Sequence, residues 1–191
     1  MSIYFTSDQH WNHKNVLKFE NRPYDTVEEM NEGLIVAWNK VVKHNDTVHH
    51  LGDFCFGGYD KWVSILDRLN GKIILYKGNH DKSNVLKRLA KDGYFEEMYE
   101  VGNTMKVNKM DLWLTHYPMD IGLRPRKYSI SGHIHNQKSR LLNQVNIGVD
   151  SHLKLVKSKP FGTPILLEEL IDYLNETNPQ VEEMFLAERK K

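Results

Sequence analysis

Lys72-Ile73-Ile74-Leu75-Tyr76-Lys77-Gly78-Asn79-His80-Asp81 is the stretch on which the reading of this chain turns. Ile73 to Tyr76 form a short apolar run bounded by turn residues, which predicts a buried strand. The strand empties directly into Gly78-Asn79-His80-Asp81, where amide, imidazole and carboxylate side chains follow one another. A buried strand that delivers polar side chains at its C-terminal end is how open α/β sheets build ligand sites. The fold and the function therefore depend on whether other strands do the same.

Working outward, they do. Ile3 to Ser7 predicts a short strand that runs into Asp8-Gln9-His10, and Asp46 to Leu51 predicts a second that runs into Gly52-Asp53. Between them Thr26-Val27-Glu28-Glu29 is a capping box. It opens an amphipathic helix over about 26–43, with Val27, Met30, Leu34, Trp38, Val41 and Val42 at mostly helical spacing. Trp62, Ile65, Leu66 and Leu69 mark another helix, closed by Asn70-Gly71, and a further helix is expected over 83–91 with Ser83 as its cap.

Downstream, short strands are expected at about 97–101, 104–108, 111–115, 128–132 and 144–148, with Asn108-Lys109 as turn chemistry. His116 follows the third of these and Gly132-His133-Ile134-His135 the fourth. Thr163-Pro164 is read as opening a last helix to about Asn175, followed by a second helical piece over 180–189. The pattern is βαβ units first and a more antiparallel half second, in one domain spanning 1–191. The motif-bearing core covers about 1–150, and a helical extension covers about 163–191.

The composition fits this picture. A chain of 191 residues with 40% hydrophobic and 27% charged residues reads as soluble and globular. Lys plus Arg number 26 against 25 Asp plus Glu, so no global basic field draws in nucleic acid. Lys154, Lys157, Lys159 and the terminal Arg189-Lys190-Lys191 read as solvated faces. Cys55 is the single cysteine, which excludes an internal disulfide framework and fits a reducing compartment. It reads as a small, half-buried residue near Asp53. Neither a signal peptide nor an apolar run long enough to cross a membrane is evident, so the expected location is cytoplasmic.

The chemistry lies in the strand ends. Asp8, His10, Asp53, Asn79, His116, His133 and His135 are candidate metal donors, and together they make a mixed O/N environment suited to borderline divalent cations. Two cations held about 3.5–4 Å apart are a standard device for attacking phosphate esters. Asp8 and His10 are two residues apart, as are His133 and His135, so an extended strand end would point each pair one way. Asp53 has two oxygens able to bridge a pair of metals. Gly52, Gly78 and Gly132 precede donors where the backbone must turn sharply or approach something closely. Taken singly, each piece has a bland reading: a polar loop for Asp-x-His, a packed histidine for His116, a turn for Gly-His-x-His. The ordered set, each member placed after a predicted strand, is hard to explain as packing.

That ordered set resembles the signature of the calcineurin-like metallophosphoesterase superfamily over residues 1 to about 150. It is similar in particular to compact bacterial and phage members, in which a segment like Asn12-His13-x-Asn15 and Arg22-Pro23 follows the first motif. The resemblance implies a four-layer αββα sandwich of two mixed β-sheets flanked by helices. It implies that Asp8, His10 and His135 hold one metal, that Asn79, His116 and His133 hold the other, and that Asp53 bridges both. His80 would be the catalytic residue facing the leaving group. The implied activity is a dinuclear phosphoesterase, in which metal-activated hydroxide attacks a phosphodiester or nucleotide-type ester. Mn2+ is the first expectation, and Fe, Zn or Ni also suit the donors.

The chain departs from the family at Phe56, where many relatives carry an Asp that orients the catalytic histidine; Asp81 or a more distant carboxylate is the expected substitute. His13, Asn15, Arg124 and Arg126 are candidate substrate contacts, whereas His44, His49, His50 and His152 read as structural or surface residues. Two other functions remain: an end-processing nuclease acting on nucleic-acid ends, and a non-catalytic interaction scaffold. A structural zinc site is disfavoured because such sites are closed and rich in cysteine.

Overall fold

The protein was analysed as a computed structural model, which describes residues 1–190. The first half alternates strand and helix. Strand β1 (Ile3–Thr6) leads through the short α1 (Val16–Phe19) and the long α2 (Val27–Val41) to β2 (Thr47–His50). Helix α3 (Tyr59–Leu66), β3 (Lys72–Tyr76), α4 (Ser83–Lys91) and β4 (Glu97–Tyr99) follow. The expected capping box at Thr26 is present: its hydroxyl accepts from Glu29 N–H at 3.1 Å, and the Glu29 carboxylate accepts from Thr26 N–H at 3.3 Å. At α4 the expected cap differs, since Lys82 is the N-cap and Ser83 is already helical.

The second half contributes β5 (Gly102–Val107), β6 (Met110–Thr115), β7 (Lys127–Ser131) and β8 (Gln144–Asn146). It ends with the short α5 (Lys154–Lys157), β9 (Ile165–Leu166) and α6 (Leu167–Glu188). Two mixed sheets with flanking helices result, ordered β4-β3-β2-β1-β9 and β5-β6-β7-β8. In the first sheet β1 to β4 run parallel and only β9 is antiparallel. The second is less antiparallel than its short strands suggest, because only β5 and β6 pair that way while β6, β7 and β8 are parallel. Asn108 and Lys109, with φ of 46° and 62°, make the left-handed two-residue turn between β5 and β6.

Alternation along β1 to β3 divides the core. Val48, Ile73 and Leu75 join Leu34, Trp38, Trp62 and Leu86 of the helices, whereas Phe5 and Tyr76 join Leu112, Leu114, Tyr128 and Ile130 of the second sheet. The C-terminal region departs from the sequence expectation in two ways. Thr163-Pro164 leads into a strand that pairs with β1, Phe5 opposite Ile165, and helix begins only at Leu167. The two expected helical pieces are one continuous helix containing Pro179. Burial of Leu170 and Leu174 on one side of Pro179 and Val181 on the other holds that helix together across the missing backbone donor. Among the described residues, no helix is long and apolar enough to cross a membrane.

This topology brings the chemistry to one place. Because β1, β2 and β3 are parallel, their C-terminal ends, and hence Asp8, Asp53 and Asn79, share one edge of the first sheet. His116 and His133 follow the ends of the parallel β6 and β7. A parallel bridge between Ser7 and Gly148 ties the two sheets together beside that edge.

Candidate metal centre

The strand ends converge. One donor atom each from Asp8, His10 and His135 lie within 4.8 Å of one another, and so do donor atoms of Asp53, His116 and His133. Asp53 touches both groups, with Oδ2 at 3.5 Å from His10 Nε2 and 3.4 Å from His116 Nε2. Asn79 Oδ1 lies 3.0 Å from His116 Nε2, on the second group. The other ring nitrogen of His116 sits 2.8 Å from the Leu51 carbonyl, which fixes the ring and leaves Nε2 facing the centre.

The backbone reaches this arrangement by a route the sequence does not announce. Asp8, His10, Asp53, His133 and His135 adopt left-handed conformations with φ of 62°, 52°, 52°, 69° and 46°. Asp8 with His10, and His133 with His135, are therefore not extended pairs with a two-residue period. Tight left-handed turns aim them inward, in a conformation that costs a non-glycine residue about 1–2 kcal/mol. The preceding glycines make room. A Cβ on Gly52, itself at φ 95°, would lie 2.6 Å from His116 Nδ1 and 2.7 Å from Gly78 N. A Cβ on Gly132 would strike the Asp8 carboxylate.

The electrostatics fit cations. Burial pushes Asp8 up to about 6 and drives His10 down to about 2. Burial also raises Asp53, but hydrogen bonding and charge from His116, with His10, outweigh it and hold that carboxyl below its usual range. His116 is raised to about 9, because its contacts with Asp53 and Asp8 overcome its own burial. His10 Nε2 is buried without a hydrogen-bond partner. Buried carboxylates facing imidazoles, one of them with an orphaned nitrogen, suit divalent cations better than packing, since buried charge is tolerated when paired or metal-bound.

Of the remaining candidates, His13 and His80 border this core, each with its ring 5.3 Å from that of His10, whereas Arg124 and Arg126 precede β7 at the end opposite His133. His80 is exposed at the rim, its N–H donating to Asp53 Oδ1 at 2.8 Å, and its ring lies 5.3 Å from that of His10. Asp81 does not orient it. Both Asp81 oxygens are turned inward, accepting N–H groups of Asp53 at 2.9 Å, Phe54 at 3.0 Å and Gly78 at 2.8 Å. Aromatic rings border His80 instead. Phe56 stacks on His13 at 4.4 Å and lies 5.9 Å from His80, while Tyr117 packs edge-on to His133 at 4.5 Å on the other side. Asn15 is exposed at the start of α1. Arg124 and Arg126 are also exposed, and Arg126 N–H donates to Asn178 of α6 at 2.7 Å. Cys55 is fully buried rather than half-buried, its thiol pushed up to about 12 by burial, so it is no nucleophile.

Near the centre, Asp150 carries no expectation from the sequence, and Arg22 enters only as part of the motif shared with compact relatives. Asp150 lies 2.9 Å from His135 Nδ1, and Arg22 forks onto Asp150. A signal for Asp150 was present: Gly148-Val149-Asp150 follows strand β8 much as Gly52-Asp53 follows β2. His50 is buried, with its Nε2 2.6 Å from Gln9 Oε1 behind the centre.

Paired clusters of oxygen and nitrogen donors at the edge of an α/β sheet define a candidate metallohydrolase. The chain belongs to the calcineurin-like phosphoesterase superfamily, whose domain pattern matches residues 1–148. It is 34% identical over 169 residues to an uncharacterised protein of Methanocaldococcus jannaschii, covering 81% of this chain and 91% of that one. It is 29% identical over 186 residues to the gene 66 protein of Mycobacterium phage L5, covering 81% and 89%. Among solved structures, a protein of unknown function from Aquifex aeolicus superposes with a TM-score of 0.68 at 26% identity, over 91% of this chain and 98% of that one.

Proposed function

We propose that this chain is a two-cation phosphoesterase acting on a phosphodiester or a nucleotide-type phosphate ester. The observation that carries the reading is Asp53 Oδ2, one carboxylate oxygen set between His10 Nε2 at 3.5 Å and His116 Nε2 at 3.4 Å. Asp8, His10 and His135 would hold one cation, Asn79, His116 and His133 the other, and Asp53 both. Mixed O/N donors suit Mn2+, the first expectation, and equally Fe, Zn and Ni. Such a pair supplies Lewis acidity and lowers the pKa of water from 15.7 to roughly 7.

The chain's own residues do the rest. The Asp53 carboxylate, anchored by His80 N–H, ties the catalytic histidine to the centre. The His80 imidazole, exposed at the rim, would pass a proton to the departing oxygen, a role typically contributing about 10²–10⁴ in rate. The Phe56–His13 stack and Tyr117 offer flat faces on either side of the donors, which suits a leaving alcohol that carries an aromatic ring, such as a nucleoside. Donors drawn from both sheets support reading the two sheets as one domain. A lone buried cysteine supports a cytoplasmic setting.

The test is a panel of Mn2+, Zn2+, Fe2+ and Ni2+ against a phosphodiester, a monoester, a cyclic nucleotide and single-stranded DNA ends, with Asp53→Asn as control. Diester or cyclic-nucleotide turnover abolished in Asp53→Asn is expected. Preference for DNA ends would make the chain an end-processing nuclease. No turnover with any metal would point to a scaffold.

A further inference from the structure

Arg22 is the most enclosed cation of the fold, its side chain 0% exposed against 3% for its partner Asp150. Its guanidinium uses its fork fully. Nε donates to Asp150 Oδ1 at 3.0 Å and NH2 to Asp150 Oδ2 at 2.8 Å. NH1 also donates to the Gln9 carbonyl at 2.6 Å, and NH2 to the Asp8 carbonyl at 2.6 Å. Asp150 Oδ2 accepts a further bond from His135 Nδ1 at 2.9 Å. Glu20 stands nearby, Oε1 at 4.0 Å from the same ring nitrogen and Oε2 buried without a partner.

Charge neutralisation alone does not explain this network. Asp150 would satisfy Arg22 without touching His135, and Arg22 would satisfy Asp150 without reaching the carbonyls of residues 8 and 9. What the extra contacts achieve is a rigid tie between the two segments that carry the first donor cluster, 8–10 and 133–135. Those segments also hold left-handed backbone at both of their donors, which needs outside restraint to persist. Donation of Nδ1–H to Asp150 fixes the His135 tautomer and leaves Nε2 as its ligand atom.

We infer that Arg22 and Asp150 are positioning residues, which preset the backbone of Asp8 and His10 and the tautomer of His135 for one of the two cations. This rests on the two-cation reading above. Residues that orient a metal-ligating histidine typically change affinity about 10–100-fold when replaced. The effect should fall mainly on the cation of the first cluster, because the network bonds to the Asp8 and Gln9 carbonyls and to His135 Nδ1, and to no side chain of His116 or His133.

The experiment uses the 191-residue chain and two variants. Asp150→Asn alone would leave the Arg22 charge uncompensated in the interior, so the double variant Arg22→Met with Asp150→Asn carries the test. Arg22→Lys, which keeps the charge and loses the fork, accompanies it. In the metal-free protein, nitrogen-15 NMR of the histidine rings at alkaline pH should find His135 in the Nδ1–H tautomer, and find that preference lost in the double variant. Calorimetry with Mn2+ alone should then show two sites in the wild type. One should weaken about 10–100-fold in the double variant and less in Arg22→Lys, while the other stays within about two-fold.

A purely structural role would lower the melting temperature and leave both affinities unchanged, and that result overturns the inference. So does an Nε2–H tautomer in the wild type. A wild type that takes up no Mn2+ overturns the two-cation reading as well, and is told apart from the other failures by its missing isotherm.

Discussion

Gly52→Ala is a one-carbon perturbation at the tightest point of the centre. The new methyl would lie 2.6 Å from His116 Nδ1, 2.7 Å from Gly78 N and 2.9 Å from Gly78 Cα. These separations are roughly 1 Å short of ordinary van der Waals distance. Two of the three obstructing atoms are backbone, so no rotamer change relieves the clash. Overpacking of this kind costs about 1–3 kcal/mol. Holding φ at 95° with a side chain present adds strain, at about 1–2 kcal/mol for left-handed backbone. The expected destabilisation is therefore roughly 2–5 kcal/mol.

The displaced group is His116, whose Nδ1 bond to Leu51 O aims Nε2 at Asp53. Movement of about 1 Å in a catalytic group costs about 100-fold in rate. Urea denaturation of the metal-free protein and turnover of an aryl phosphodiester with saturating Mn2+ measure the two effects. Gly58→Ala is the control: its methyl meets nothing within 4 Å, and its backbone is in an ordinary conformation at φ −90°. Gly58 is the N-cap of α3, so the control loses no more than about 1 kcal/mol and keeps full turnover. If Gly52→Ala matches Gly58→Ala in both assays, the close approach of strand ends does not matter and the reasoning fails.

Three further outcomes follow from the same contacts. Asp81→Ala strips the acceptor from three buried N–H groups and should destabilise the fold by more than about 3 kcal/mol in urea melts; a loss under about 1 kcal/mol would mean those donors find other partners. His49 is held neutral by burial against Phe5 and the Tyr76 hydroxyl, its pKa lowered from 6.5 to about 4, with Glu97 opposing. The unfolded chain takes up that proton first, so stability should fall by about 3 kcal/mol as pH drops from 6.5 to about 4. His49→Phe should remove that part of the slope, and an unchanged slope would show the group is not responsible. Phe56→Ala should raise KM for aryl or nucleoside diesters roughly 3–10-fold with kcat little changed, and should leave an alkyl diester unaffected; equal losses on both would remove stacking from the account.

Much of this was legible in the sequence because parallel strands are buried and short, and each empties into a glycine or a donor. Lys72 to Tyr76, the capping box at Thr26 and the turn at Asn108-Lys109 are local signals, and each appears close to its expected position. What was not legible depends on tertiary partners. Ile165-Leu166 carries no strand signal of its own and is strand only because the edge of β1 is there to pair with. Pro179 marks a helix end locally, yet Val181 lies in the core beyond it. The candidate donors were legible from order and residue type, but they are not extended pairs, because left-handed φ at Asp8 or His133 leaves no trace in composition. Arg22 and Asp150 meet across 128 residues, a separation no local pattern encodes.

The left-handed donors also bear on how such a chain changes over generations. Asp8, His10, Asp53, His133 and His135 occupy backbone that glycine would adopt without strain. Each therefore gives up about 1–2 kcal/mol, and net stabilities are only about 5–15 kcal/mol. Glycine would relieve that strain, but it would empty buried sites and strip the acceptors from His133 N–H and His80 N–H, which the Asp8 and Asp53 carboxylates satisfy. At Asp8 and Asp53 the fold therefore resists loss of the side chain whatever the demand for chemistry, and the two carboxylates would outlast it in a descendant that had given it up.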